Sequence, residues 1–185
     1  MDVTIISQRY AKALFDLAIE FKELEKIKED MLLVGSVTAE NPEFRRLLAS
    51  PAIPQGKKAA IIKGIFQQKV EKLTFRFLEL VVRKEREVYL REIADNFIGL
   101  YKKHNNIITV NLITAQPVDE HIRKEILGIL EETTHKNVEL LENVDKSLIG
   151  GFVLTMEDKK YDSSIRHQIN RLQRVFERNP YVKGF

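Results

Sequence analysis

Apolar residues recur at helical spacing over roughly residues 1–104 of the chain. A period of about 3.6 residues indicates amphipathic helices. Pro42, Pro51 and Pro54 divide this pattern, because proline suits a first helical turn and pushes the residue before it out of the helical region. The pattern predicts six helices, at about residues 4–21, 24–39, 42–50, 54–66, 70–84 and 88–103.

A different pattern begins near Asn105. The β-branched run at 107–115 and the alternating run at 138–144 predict strands, with a helix over 118–134 between them. A Gly-Gly pair then opens a predicted hairpin, and the last helix carries apolar residues at helical spacing: Ile165, Ile169, Leu172 and Phe176. The change of period predicts an α+β protein, in which an N-terminal six-helix bundle (1–105) is followed by a small mixed α/β domain (106–185).

The first and fifth predicted helices have unusually wide apolar faces. Tyr10, Leu14 and Leu17 lie on one side of the first helix, and further apolar residues widen its face to roughly twice the ~100° that a surface helix needs. The fifth helix, which carries Leu80 and Val81, is also apolar over too wide an arc. Such a face is typical either of a helix central to its own bundle or of a surface that receives a helix of another chain.

Composition narrows the classes of function. The chain has 185 residues, a formal net charge of +3 and no cysteine. The lack of cysteine excludes disulfides, thiolate zinc sites and thiol catalysis. So small a charge does not by itself indicate a nucleic-acid partner. Apolar runs fall short of the ~18 residues of a membrane span, and the N-terminus has no signal pattern, so we expect the chain to stay where it is made.

No motif indicates a catalytic, cofactor or metal site. The four histidines stand amid charged neighbours and outside metal-ligand spacing. The segment Gly56-Lys57-Lys58 lacks the spacing of a phosphate loop. Acidic residues mostly alternate with lysine and arginine at helical spacing, as on solvated helix faces. We therefore expect no catalytic residue, no cofactor and no metal ion.

Two motifs resemble a known family. Residues 7–15, SQRYAKALF, are similar to the opening helix of the delta subunit of bacterial and chloroplast F-type ATP synthases, whose mitochondrial counterpart is the oligomycin-sensitivity-conferring protein. A second set of residues resembles the family's C-terminal signature: Gly150, Gly151, Asp158, Asp162 and Ser164. Ile169 stands where leucine is commoner in the family. By their residue types, these glycines, acids and serine also fit a hairpin that leads into a capped helix.

The resemblance implies a non-catalytic stator subunit of the peripheral stalk. The helical bundle would bind the N-terminal helix of an alpha subunit of the catalytic head, and the C-terminal domain would bind the b subunits. The implied alpha-binding residues are Tyr10, Ala13, Leu14, Leu17, Leu80 and Val81. The resemblance also implies no nucleic-acid partner and a peripheral location at the cytoplasmic face of the bacterial plasma membrane, through the complex. The alternatives are a free-standing helical adaptor and a nucleic-acid-binding protein.

Overall fold

The computed structural model describes residues 3–156 and 159–177, with side chains as far as residue 174 in the last helix. The chain divides into two compact units, Met1–His104 and Asn105–Phe185. The described part of the first unit is helical, and that of the second combines two helices with a four-stranded sheet. A mixed helix-and-sheet protein with this order of elements agrees with the sequence pattern.

The helical unit contains six α-helices within the described residues. Their bounds are α1 Val3–Glu20, α2 Leu24–Glu40, α3 Pro42–Ala49, α4 Gln55–Phe66, α5 Lys72–Arg83 and α6 Leu90–His104. A 3-10 turn, Glu87–Tyr89, precedes α6. The last predicted helix of this unit therefore begins with a tighter turn, and its α-helical part starts at Leu90.

Helix α6 packs against both α1 and α2. The inner face of α1 places Leu14 in the core, and Phe15 contacts Phe97 of α6 edge to face at 5.8 Å between ring centroids. A side chain added at Gly35 of α2 would meet Ala94 of α6 at 3.6 Å. Small residues at this crossing let the two helix backbones approach closely.

Among the described residues, two acidic side chains are buried, although we expected most acidic residues to lie on solvated faces. Glu87 is 3% exposed, and its Oε1 lies 2.8 Å from the ammonium nitrogen of Lys58. The Lys58 ammonium also donates to the main-chain oxygen of Leu48 at 2.6 Å. The second acid, Asp30, is 7% exposed. Partners far away in the sequence make this burial tolerable, and helical spacing cannot reveal them.

The second unit is built on β1 Ile107–Thr114, α7 Glu120–Thr134, β2 Asn137–Val144, β3 Phe152–Met156, β4 Lys159–Asp162 and α8 Ile165–Glu177. The strand order is β2-β1-β3-β4. Strand β1 is parallel to β2 and antiparallel to β3, and β3 is antiparallel to β4. The parallel pair is connected through α7, as parallel strands require a crossover.

Helix α7 contributes to the apolar core on the sheet. The buried cluster consists of Ile108, Val110, Leu112, Leu140 and Leu154. Three residues of α7 pack against it: Ile126, Leu127 and Leu130. Two other apolar residues of α7, Ile122 and Ile129, are exposed. Because they are seven residues, or two helical turns, apart, they lie on the same side of α7, and that side faces away from the cluster.

Candidate partner-binding groove

An open groove of about 570 Å³ lies between α1 and α5. Helix α1 contributes Leu17 to its wall, and α5 contributes the rest of the lining: Leu73, Arg76, Phe77, Glu79, Leu80 and Arg83. The apolar members of this set on α5 recur at i, i+4 and i+7, so they form one row on one side of the helix. The groove therefore has an apolar floor, with charged side chains contributed by α5.

The α1 side of the groove contains part of the predicted set. Leu17 is 38% exposed and lines the groove, and Ala13, one turn earlier, is also exposed. Tyr10 is half-buried, and its ring contacts Phe77 of α5 edge to face at 6.4 Å. Leu14 has no exposed surface. Leu14 therefore lies in the core of the helical unit, where a partner helix cannot reach it.

On α5, as on α1, one predicted residue lines the groove and another is buried. Leu80 is half-buried and lines the groove, whereas Val81 has no exposed surface and packs inside the helical unit. Leu73 and Phe77 line the groove although the sequence reasoning did not assign them to it. Their spacing from Leu80, at i−7 and i−3, was the available signal. Sequence reasoning recognised the wide face of α5 but could not divide it between core and groove.

The N-terminus of α5 is held by a buried carboxylate of α2. Asp30 accepts hydrogen bonds from the main-chain N–H of Glu71 at 2.9 Å and from the hydroxyl of Thr74 at 2.6 Å. Burial raises the pKa of the Asp30 carboxyl above its usual value, against the opposing effect of the two hydrogen bonds. At the other end of α5, the Gln55 side chain donates to the oxygen of Val82 at 2.9 Å. Contacts from α2 and α4 thus fix both ends of this wall of the groove.

The Gly-Gly pair of the second unit lies against the start of α8. Gly151 has φ of +79°, and a side chain there would meet the Ser163 oxygen at 2.4 Å. A side chain at Gly150 would meet Ile165 at 2.7 Å, and the Gly150 oxygen accepts a hydrogen bond from the Ile165 N–H at 3.0 Å. Gly151 is therefore required both by the close approach of the Ser163 backbone and by its positive φ, whereas a side chain at Gly150 would meet only the side chain of Ile165.

Ser164 caps α8, and Asp162 holds Ser164 in place. The Ser164 hydroxyl accepts a hydrogen bond from the His167 N–H at 3.2 Å, as an N-cap side chain does. Asp162 Oδ1 accepts from the Ser164 hydroxyl at 2.6 Å and from its main-chain N–H at 3.0 Å. These hydrogen bonds lower the pKa of the Asp162 carboxyl. Asp158, the other acid of the signature, lies outside the described residues.

Helix α8 exposes an apolar row. Ile165, Ile169 and Leu172 are 40%, 42% and 54% exposed and follow one another at i, i+4 and i+7. The sequence indicated this row by its helical spacing and assigned it no binding role. Within the described residues these side chains keep much of their surface accessible, so the row is a second candidate for contact with another chain.

Neither a metal site nor a membrane span is found in the part of the chain that the structure describes. Among residues 3–156 and 159–177, no group of three histidine or acidic side chains is arranged to hold a metal ion. Over the same ranges, no helix combines the length and the apolar character needed to cross a bilayer.

Comparison with known proteins identifies the family. The model of the family described as "ATP synthase delta (OSCP) subunit" matches residues 6–176. The chain belongs to this family. ATP synthase subunit delta of Cytophaga hutchinsonii is 34% identical over 176 residues, 95% of this chain and 96% of that one. The delta subunit of Salinibacter ruber is 34% identical over 172 residues, 93% and 90% of the two chains.

A solved structure agrees with the delta-family assignment. A chain in the cryo-EM structure of the Toxoplasma gondii mitochondrial ATP synthase hexamer matches with a TM-score of 0.69 and 27% identity, over 92% of this chain and 97% of that one. The resemblance inferred from the two motifs is confirmed, and the delta-family chain is a peripheral-stalk component of the F-type ATP synthase. This decides against the free-standing adaptor and the nucleic-acid-binding protein.

Proposed function

We propose that this delta-family chain is the non-catalytic stator subunit that joins the alpha subunits of the catalytic head to the b subunits of the peripheral stalk. Its six-helix bundle, residues 1–105, binds the N-terminal helix of an alpha subunit, and its C-terminal domain, residues 106–185, binds the stalk. The observation that carries the proposal is the open apolar groove between α1 and α5 in a member of the delta family.

A stator needs stiff contact between proteins and no catalytic group. Proton-driven rotation exerts torque on the head, which would turn with the rotor unless the stalk held it. The groove suits such contact because an amphipathic helix can lay its apolar face on Leu17 and Leu80. Fully burying one leucine contributes about 1.5–3 kcal/mol, so covering these partly exposed side chains contributes a fraction of that each. Ala13, exposed and small, leaves room for a second helix to approach α1.

The stalk-binding end is supported by the exposed apolar row of α8. We expect Ile169→Asp to weaken binding of a peptide from the C-terminal end of the b subunit, because it places a charge in the centre of that row. Asn170→Asp is the matched control, since Asn170 is exposed on a different side of the same helix. Equal binding by the two variants would remove α8 from the stalk-binding surface. In this proposal the chain lies at the cytoplasmic face of the bacterial plasma membrane and is held there by the complex.

The head-binding end is tested with a synthetic peptide of the cognate alpha subunit's N-terminal helix and the full-length protein. The peptide should bind, and Ala13→Arg should weaken binding without loss of helicity, because the new side chain projects from the exposed face of α1 beside the groove. Ala13 is a cleaner position than Tyr10, whose ring also packs on Phe77. Ala39→Arg, at an exposed alanine of α2, is the control. No binding at tens of micromolar would refute the proposal.

A further inference from the structure

The charges that line the groove between α1 and α5 come from one side. Leu17, the contribution of α1, is uncharged, whereas α5 contributes Arg76, Glu79 and Arg83. These three side chains are exposed and follow one another at intervals of three and four residues, so they lie along one edge of α5. The two arginines are seven residues apart, about 10 Å along the helix axis.

The charges on this edge are without partners in the described residues. Intervals of three and four residues are those at which opposite charges pair on a helix surface. Such pairs occur elsewhere in the described part of the chain, for example between Arg91 and Asp95 at 4.0 Å. On α5, neither Arg76 nor Arg83 forms an ion pair with Glu79, and within the described residues these side chains make no other polar contact. Their charges are therefore available to whatever occupies the groove.

From this arrangement we infer that the groove selects an amphipathic helix with two acidic side chains on one flank of its apolar stripe, about seven residues apart, facing Arg76 and Arg83. A basic or neutral residue between the two acids faces Glu79. The inference rests on the proposed function, in which the occupant is the alpha subunit's N-terminal helix. It adds the charge pattern that fixes the direction and register of that helix in the groove.

The geometry explains why charge would set direction. An apolar stripe alone lies on Leu17 and Leu80 in either direction along the groove. Because the two arginines belong to α5, reversing the bound helix would move its acidic flank away from them, to the side where α1 lines the groove with Leu17. Arginine suits this role because its planar guanidinium binds a carboxylate through two parallel hydrogen bonds. Charges at the rim of an interface act mainly on specificity and on the rate of association.

The experiment measures binding of the cognate alpha N-terminal peptide to the full-length protein at low and at high salt. Arg76→Glu combined with Arg83→Glu should weaken binding about tenfold at low salt and less at high salt. The control combines Lys57→Glu with Lys63→Glu, which changes the net charge equally at exposed positions of α4 and should change binding by less than about threefold. A peptide in which lysine replaces the two flank acids should bind the arginine variant better than the native protein.

The outcomes separate the two proposals. If the native protein binds the peptide and the arginine variant binds it as the α4 control does, the charge inference is overturned and the proposed function stands. The same holds if the cognate alpha helix has no two acidic residues seven or eight positions apart on one flank. If the native protein does not bind the peptide at either salt concentration, the proposed function fails. Tighter binding of the lysine peptide by the arginine variant than by the α4 control, which has the same net charge, would support the inference over a general effect of charge.

Discussion

The buried ion pair of the helical unit gives a sharp prediction about stability. Lys58 and Glu87 are separated by 29 residues, and their side chains are 9% and 4% exposed. The Lys58 ammonium lies 2.8 Å from Glu87 Oε1 and donates to the Leu48 oxygen at 2.6 Å. Glu87 Oε2 is buried and has no hydrogen-bond partner in the described residues. Lys58→Met would leave this carboxylate buried without a counter-charge.

The expected magnitude follows from this geometry. Removing one partner of a buried ion pair costs about 3–5 kcal/mol, because the remaining charge stays desolvated. Replacing both Lys58 and Glu87 by methionine removes both charges and leaves the Leu48 oxygen without this donor. An unsatisfied buried acceptor costs about 1–3 kcal/mol. The double variant should therefore be more stable than the Lys58→Met variant, although it carries one more substitution.

Urea unfolding of the full-length chain, followed by the helical circular dichroism signal, measures these free energies. Hydrogen exchange of amides in α6 and in β1 then assigns the change to the helical unit. Arg91→Met is the control, since the Arg91–Asp95 pair is exposed and should contribute no more than about 1 kcal/mol. A Lys58→Met variant destabilised by less than about 1 kcal/mol, or a double variant less stable than the single one, would refute the reasoning.

Two further predictions concern Gly151 and the two carboxyls with shifted pKa values. Gly151→Ala should destabilise the second unit by more than about 2 kcal/mol, because φ is positive and the new carbon would meet the Ser163 oxygen. The control, Gly128→Ala, should not destabilise this unit, because the space around Gly128 is open. Equal hydrogen-exchange rates of the β3 amides in the two variants would contradict the prediction for Gly151. Burial raises the pKa of Asp30, so its contribution to stability should grow as pH falls toward 3.8 and be lost as pH rises through its folded-state pKa. Hydrogen bonds lower the pKa of Asp162, so its contribution should be present above pH 3.8 and be lost as pH falls through its folded-state pKa. Urea titrations of Asp30→Asn and Asp162→Asn against the native protein across this pH range should show opposite slopes, and slopes of the same sign would contradict both assignments.

Local sequence chemistry determined the elements of this protein. Helical and alternating periods predicted the order of helices and strands, because each element must bury one face whatever its partner is. The glycines at 150 and 151 and the serine at 164 predicted a hairpin followed by a capped helix, since backbone conformation and capping are set by a few adjacent residues. This C-terminal motif, together with residues 7–15, also revealed the family.

The tertiary structure decided which apolar residues remain accessible. Leu14 and Leu17 belong to the same wide face of α1, yet the first is fully buried and the second lines the groove. A period gives the direction of a side chain from its helix, but accessibility depends on where the neighbouring helices lie. The same limit applies to α5, where Leu80 is accessible and Val81 is not. It applies also to α8, where helical spacing identified the apolar row but only the fold shows that the row is exposed.

The buried polar contacts also required the fold. Lys58 meets Glu87 across 29 residues, and Asp30 meets Thr74 across 44. In the sequence these residues resemble the many other charged residues at helical spacing, because nothing local separates a solvated carboxylate from a buried one. Periodicity and capping are properties of a short segment, so the sequence determined the elements. Burial and long-range pairing depend on how the segments pack, so the groove and its supports were decided by the tertiary structure.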